Sequence, residues 1–500
     1  MKKKLLPALI VTGLIILVVI IMGITALINK YTPTKKTEDL KEYFNISSDD
    51  EAALIVNNEL SDYKAKIIDK KIYVDYKFVH DSLNSRFYWD ANENVLLYTT
   101  ASDIISAAAD SNSYSVTKQT NDFGYPIVKA TSDSALIALD YVKQYSNITF
   151  KSYDDPARIV ITSKWDEIDS ATVSKPTQVR VKGGIKSPIL KEVKKDDKIT
   201  ILDSGDKWDK VATEDGVIGY IKRKALSESK KTKLTNPDYE EETFTHIKKD
   251  KDICLAWNQV TSQSANSKVP QVISSTKGIN VMSPTWFYLN DNNGNLADIA
   301  SKDYVSYCHS QGIEVWGLFS NFENTDVDAA YVLTHTSTRT TLINQIMSAA
   351  FNYELDGVNI DFENITEAAY GDSYIEFIRE LAIKCHNNGI SLSVDVTVPA
   401  SFNKFFNRSD MANFADYIVI MGYDEHYKGS DAGSVSSIPW VTEGVESTLK
   451  EVPADQIILG MPFYTRIWEL TPKEDDDAVT DTEDQSKYTV ASQVYSMDAA

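Results

Sequence analysis

The chain has three cysteines and six histidines in 500 residues, and too little positive charge: 51 Lys and Arg against 72 Asp and Glu, a net charge of −21. Each scarcity excludes something. Cys254, Cys308 and Cys385 form no CxxC pair and too few bridges for a disulfide scaffold. They sit in apolar surroundings (ICLAW, VSYCHS, AIKCH) and read as small buried hydrophobes. There is no HExxH and no His/Cys cluster at ligand spacing, so no structural zinc and no metal site is expected. The acidic balance argues against nucleic acid as a partner, because binding phosphate needs the opposite sign. It suits a solvated, extracellular or surface protein.

Long apolar runs are also missing, with one exception. Lys2, Lys3 and Lys4 precede an uncharged, mostly aliphatic run over residues 5–29. About 20 helical residues span a bilayer core, so this run is long enough. A cleaved signal peptide would have a shorter apolar core and a small-x-small cleavage site. The expectation is therefore a retained single-pass anchor over residues 1–29 in the cell membrane. The lysines would stay in the cytoplasm, and everything after Lys30 would lie outside.

What remains is rich enough in apolar residues, at 43%, to build packed cores, and its length suggests three or four domains. Residues 30–66 are polar and read as a stalk. Within 67–166, "KIYVDYKFVHDSLNSRFYWDANENVLLYTT" (71–100) parallels "ALIALDYVKQYSNITFKSYDDPARIVITSK" (135–164). Each copy runs strand, helical turn, aromatic strand, acidic turn, β-branched strand. Residues 176–227 form short alternating runs separated by Gly and Asp turns, as a small β-barrel requires. A polar linker, 228–248, follows.

From residue 249 strand and helix patterns alternate. Seven candidate strands are DICLAW, INVMSPTWFYL, IEVWGLFS, LDGVNIDFE, SLSVDVTV, YIVIMGYD and QIILGMPFY, with helical patterns between them, as at 337–353 and 373–388. Regular alternation of this kind means a parallel sheet with crossover helices. The number of apolar strands points to an α/β fold of the (β/α)8 TIM-barrel type over 249–500. No eighth strand follows YTRIW, and an open barrel would expose two edges. The expectation is a barrel incomplete at its C-terminal side.

The fourth strand, LDGVNIDFEN, places acids in apolar company. Alternation puts Asn359, Asp361 and Glu363 on one face and Val358, Ile360 and Phe362 on the other. In a barrel the first face points inward, toward the C-terminal mouth where active sites lie. Two carboxylates about 7 Å apart along a strand raise each other's affinity for protons, and a Glu raised this way can serve as a general acid. Trp257, Trp286 and Phe287 read as core aromatics rather than sugar platforms. His426 reads equally as a substrate contact or a structural hydrogen-bonding group.

The D-G-x-N-x-D-x-E run at 356–363 resembles the signature of glycoside hydrolase family 18. "MGYD" (421–424) and "GMPFYTRIW" (460–468) are similar to its sixth- and seventh-strand motifs. "YDEHYKGSDAGSVSSIPWV" (423–441) resembles the cell-wall and spore-cortex N-acetylglucosaminidases of that family more than its chitinases. The resemblance implies that Glu363 is the general acid and that Asp361 orients the substrate's acetamido group, with no cofactor. It implies that Tyr423 and Asp424 bind the same sugar, and that Tyr464, Arg466 and Trp468 line the cleft with Asn359. Asn359 stands where the commonest motif has Asp, which puts the pH optimum in doubt. The floor-forming Trp of an eighth strand has no counterpart here. The implied partner is an N-acetylglucosamine-containing glycan, peptidoglycan or chitin-like. A chitinase, a silent glycan-binding wall protein and a scaffold are the competing readings; the intact Asp361 and Glu363 count against the last two. Residues 176–227, with "DKWDKVAT" and "GVIGYIKRKAL", resemble bacterial Src-homology-3-like domains. Residues 67–166 resemble the copper-amine-oxidase N-terminal-type domain, a non-catalytic module.

Overall fold

The computed structural model describes residues 2–363, 365, 368–473 and 485–496. A helix from Lys2 to Tyr31 opens the chain. Its segment Ile10–Tyr31 is long and apolar enough to cross a membrane, a test that a signal sequence also passes. The chain divides into two compact units, one of residues 1–85 and 129–241, the other of 86–128 and 242–500.

The first unit holds two seven-stranded sheets. One contains the strands Glu51–Val56, Glu59–Ile68 and Lys71–Asp75, and the other those from Glu167–Thr172 to Lys230–Lys233. Phe44, Ala53 and Ile55 share an apolar core with Val179, Val211 and Ile221. Arg158 reaches Asp215 at 2.5 Å, which Lys191 also meets at 2.5 Å.

The strand-helix-hairpin order occurs twice, as the repeat suggests. Lys71–Asp75, Tyr76–Ser82 and the hairpin Phe87–Asp90/Val95–Thr99 match Ala135–Ala138, Leu139–Gln144 and the hairpin Thr149–Tyr153/Arg158–Thr162. The two hairpins then part company. The second pairs with Glu51–Val56 in the first unit. The first continues into a five-stranded meander that ends at Gln119–Asp122 and belongs to the second unit.

In the second unit, seven parallel strands lie side by side in chain order and curl into a half-barrel. They are β1 (Leu255–Asn258), β2 (Val281–Leu289), β3 (Glu314–Ser320), β4 (Gly357–Asp361), β5 (Ser391–Thr397), β6 (Tyr417–Met421) and β7 (Ile457–Gly460). Between them run α1 (Val269–Ser274), α2 (Lys302–Ser310), α3 (Ala329–Thr334), α4 (Thr336–Tyr353), α5 (Ala368–His386), α6 (Arg408–Phe414) and α7 (Ile438–Thr448). The outward residues Val358, Ile360 and Phe362 pack against the helices, with Phe362 stacked 5.5 Å from Phe377. Trp286 and Phe287 lie in that core, as their reading required.

Inside the curl, Trp316 stacks on Tyr417 at 5.5 Å beside Val281. Trp316 is the register partner of Gly357. A Cβ at Gly357 would meet the Trp316 ring at 2.6 Å, so the first position of β4 must be glycine. Gly357→Ala is expected to destabilise the protein by about 1–3 kcal/mol through overpacking, seen as a lower urea midpoint. An unchanged midpoint would mean that the indole moves aside freely.

Three expectations need correction. The stretch 30–66, read as a stalk, carries the strand Glu51–Val56 and most of Glu59–Ile68, with Phe44, Ala53 and Ile55 in a packed core. Cys308 and Cys385 are buried, but Cys254 is exposed, because it precedes β1 at the edge of the sheet. The segment read as a linker to residue 248 is not free along its length. From Glu242 it belongs to the second unit, where Phe244 packs edge-on against Phe414 and the Ile247 N–H binds Asp416.

Candidate active site

β4 brings Asn359 and Asp361 to the inner face, and the chain leaves the strand at Phe362 and Glu363. Asp356, the other acid of the run, stays at the opposite end. There it accepts from the Val315 N–H at 2.8 Å and meets His309 at 2.8 Å. That role is structural.

Asn359 is fully buried and fully engaged. Its Oδ1 accepts from Trp257 Nε1 and from Ser283 Oγ, both at 3.0 Å, and its Nδ2 donates to Asp395 Oδ1 at 2.7 Å. Two donors on one side and an acid on the other fix which way the amide faces. Trp257 thus serves the site, which its reading as a core aromatic missed. Its ring packs over Gly460 of β7, where a Cβ would lie 2.9 Å away.

Asp361 is 9% exposed, and its Oδ1 is buried with no hydrogen-bond partner among the described residues. Burial, then the Asp395, Glu363 and Glu323 carboxylates, hold its proton affinity well above the ordinary aspartate value. Glu363 is exposed at the mouth, and its N–H donates to Asn321 Oδ1 at 3.1 Å. Partial burial of the carboxyl, then the nearby Asp424 and Glu323, raise its pKa. Glu323 is held by Ser320, the register partner of Asp361, through contacts of 2.6 Å.

Tyr423 follows β6 and packs edge-on against Trp257 and Tyr464, at 6.2 and 6.1 Å. Burial, then Asp395, Asp361 and Glu363, raise its phenol, which therefore stays a hydrogen-bond donor. Asp424 adopts φ +58°, a left-handed conformation that Asp tolerates better than most residues, and it accepts from Tyr464 Oη at 2.8 Å. Arg466 approaches Asp424 at 3.6 Å and lies 5.7 Å over the Trp468 ring, while Trp468 Nε1 donates to Gly433 O at 2.8 Å. Tyr464, Arg466 and Trp468 are not on β7, as the motif suggested, but on an antiparallel hairpin, Tyr464–Pro472 with Tyr488–Ser496. β7 stops at Gly460, and Pro462, which lacks an N–H, follows two residues on. His426 Nδ1 pairs with Ser434 O at 2.9 Å, the structural alternative of its two readings.

The structure therefore brings together Asn359, Asp361, Glu363, Tyr423, Asp424 and Tyr464. It adds Asp395, Asn321 and Glu323, which the sequence reading passed over, and Trp257, which it placed in the core. Beyond β3 a cavity of about 320 Å³ is lined by Asn321, Phe322, Asn324, Val327 and Tyr370 among others. Among the described residues no cluster of His, Cys, Asp and Glu is arranged to hold a metal ion. Chemically the arrangement offers a carboxyl of raised proton affinity at an open mouth, with a buried acid and a phenol donor behind it. That is the equipment of a hydrolase working by general acid–base catalysis.

Comparison with known proteins agrees. Residues 316–498 match the model of Glycosyl hydrolases family 18. The Bacillus subtilis (strain 168) protein named Uncharacterized glycosylase YvbX is 25% identical over 194 residues, covering 36% of this chain and 55% of that one. The Cortical fragment-lytic enzyme of the same strain is 26% identical over 187 residues, 36% of this chain and 43% of the relative. The chain thus spans about half the length of these curated relatives. A crystal structure of a chitinase from Chromobacterium violaceum ATCC 12472 aligns at 21% identity and a TM-score of 0.38, over 42% of this chain and 68% of that one. That superposition is too loose to add to the family match.

Proposed function

We propose that this protein is a membrane-anchored glycoside hydrolase, facing outward, that cleaves β-1,4 bonds after N-acetylglucosamine in peptidoglycan. The observation that carries this reading is the placement of Glu363 at the open end of a strand face shared with Asn359 and Asp361. Its proton affinity is raised by partial burial, then by Asp424 and Glu323. No second carboxylate at the mouth is needed as a nucleophile. In the substrate-assisted route the sugar's own acetamido oxygen attacks the anomeric carbon.

Glu363 gives its proton to the leaving glycosidic oxygen as the C–O bond breaks, and an oxazolinium ion forms. Asp361 faces the acetamido N–H and offsets the positive charge, while the Tyr423 hydroxyl holds the acetamido oxygen. Water then gives its proton to the Glu363 carboxylate and opens the ring, with net retention of configuration. The apolar helix supports the anchor. The name of the cortical fragment-lytic relative supports a wall glycan over chitin.

The test is digestion of purified peptidoglycan by the full chain, with mass spectrometry of the fragments. New reducing ends of N-acetylglucosamine are expected. New reducing ends of N-acetylmuramic acid, or release from chitin oligosaccharides alone, would reject the substrate.

A further inference from the structure

Asp395 is a buried acid of the site with no part in the steps above. Asp395 lies on β5, 2% exposed. β4 and β5 are parallel, with Asn359 opposite Ser393 and Ile360 opposite Val394; continuing that register by one residue sets Asp361 beside Asp395. The amide of Asn359 is oriented by Trp257 and Ser283, so its Nδ2 must donate to Asp395 Oδ1. That oxygen is therefore an acceptor, which leaves Oδ2 as the place for a proton. Asp395 Oδ2 and Asp361 Oδ1 are both buried and without a partner among the described residues.

Among the described residues, none that acts on the pair supplies a positive charge to balance two anions. Asp395 is influenced by Asn359 of β4, Trp257 of β1 and Glu363. Asp361 is influenced by Asp395, Glu363 and Glu323. Tyr374 of α5 feels both carboxyls, as does Tyr423 after β6. Every one of these groups is neutral or acidic. Two adjacent buried carboxyls with no cation hold one proton between them.

We propose that Asp395 is the proton-exchange partner of Asp361, a positioning residue on a neighbouring strand that lets Asp361 change charge during the reaction. This rests on the function proposed above. At rest the proton sits on Asp361, because Asp395 is the carboxylate that receives hydrogen bonds. When the oxazolinium charge appears, the O–H bond at Asp361 Oδ1 breaks and one forms at Asp395 Oδ2. The pair keeps a single negative charge throughout, and that charge moves to the oxygen facing the cation. Asn359, which cannot ionise, holds Asp395 in register for the exchange.

Burial raises both carboxyls of the pair, Asp395 to about 8 against the opposing hydrogen bond from Asn359, so the proton they share is lost only as the pH climbs to that range. A pKa raised on folding adds stability below the unfolded value, and that stability is lost as the pH climbs through the folded one. The window here runs from about 4 to about 8.

The test is an infrared difference titration of the full chain from about pH 6 to about pH 9, a range that brackets the shifted carboxyl. It reads protonated carboxyls directly. The wild type is expected to lose a buried-carboxyl band over that range; in Asp395→Asn the loss should move to lower pH, because the charge beside Asp361 is gone, and Glu363→Gln should retain the band. Asn at 395 can still accept from Asn359 but cannot take a proton. Its kcat is therefore expected to fall at least ~10-fold with KM little changed, and the alkaline drop in Tm should flatten. A wild-type protein with no such band, both acids being ionised at pH 6, would overturn the proposal even if the variant failed to fold. The band without hydrolysis of any N-acetylated glycan would instead sink the proposed function and leave the shared proton standing.

Discussion

Glu363→Gln is expected to lower kcat on an N-acetylated oligosaccharide by about 10²–10⁴-fold, the usual contribution of a positioned general acid. Oligosaccharide affinity should stay within a few-fold, because Gln keeps the size and polarity of the side chain and the N–H contact to Asn321 is a backbone one. The loss should fall on kcat, since the proton is needed only as the glycosidic bond breaks. A second observation separates this from mere distortion. Asp424 is the largest electrostatic cause of the raised Glu363 pKa. Removing its charge in Asp424→Asn should let Glu363 ionise at lower pH, so the alkaline limb of the pH–rate profile should shift to the acid side. Activity within ~10-fold of wild type in Glu363→Gln would remove Glu363 from the general-acid role. An unmoved limb in Asp424→Asn would remove the electrostatic account of its pKa.

The acidic face of β4 was legible because acids inside an apolar strand are costly unless they face a mouth or one another. The same rule applies to "SLSVDVTV", but one acid in a strand makes no alternating pattern, so the sequence does not single out Asp395. Trp257 and Asn321 could not be found by spacing at all. They meet Asn359 and Glu363 across about 102 and 42 residues of chain, and only the curl of the sheet joins them. The seventh-strand motif misled in the opposite way. Its alternation was real, but Pro462 ended the parallel ladder and the pattern belonged to a hairpin. The seven strands themselves were plain, because parallel strands covered by helices read as apolar runs.

The repeat held a subtler signal. Both hairpins look alike in order, but Phe87–Asp90 is buried at every position, whereas Thr149–Tyr153 is partly or fully exposed throughout. A strand buried on both faces needs cover on both, and the FYWD run finds it on the helices of the half-barrel. Tyr88 donates to or accepts from Ser373 at 2.8 Å and lies under the Arg339 guanidinium at 5.0 Å, while Thr99 donates to Glu376 at 2.8 Å. Arg339 in turn pairs with Glu380 at 2.9 Å, both deeply buried. Two further carboxylates cap α4 from outside. Asp90 accepts from the Thr336 N–H at 2.6 Å and Glu93 from the Ser337 N–H at 3.0 Å.

The largest stability effect therefore lies far from the catalytic strand in sequence. The combined variant Tyr88→Ala, Asp90→Ala, Glu93→Ala is expected to leave the second unit unfolded or barely folded. Truncating a buried aromatic costs about 3–5 kcal/mol, and each lost helix cap about 1 kcal/mol. Their sum consumes much of a typical 5–15 kcal/mol of stability. The desolvated Arg339–Glu380 pair, uncovered on one side, adds a further penalty. The expected result is loss of the cooperative unfolding transition followed by the buried Trp286 and Trp316, while the fold of the first unit, whose cores are separate, persists in circular dichroism. A triple variant that unfolds at the wild-type midpoint would show that the meander merely rests on α4 and α5. Cooperative loss would instead make residues 86–128 part of the half-barrel's own folding unit, so that this unit begins well before residue 249.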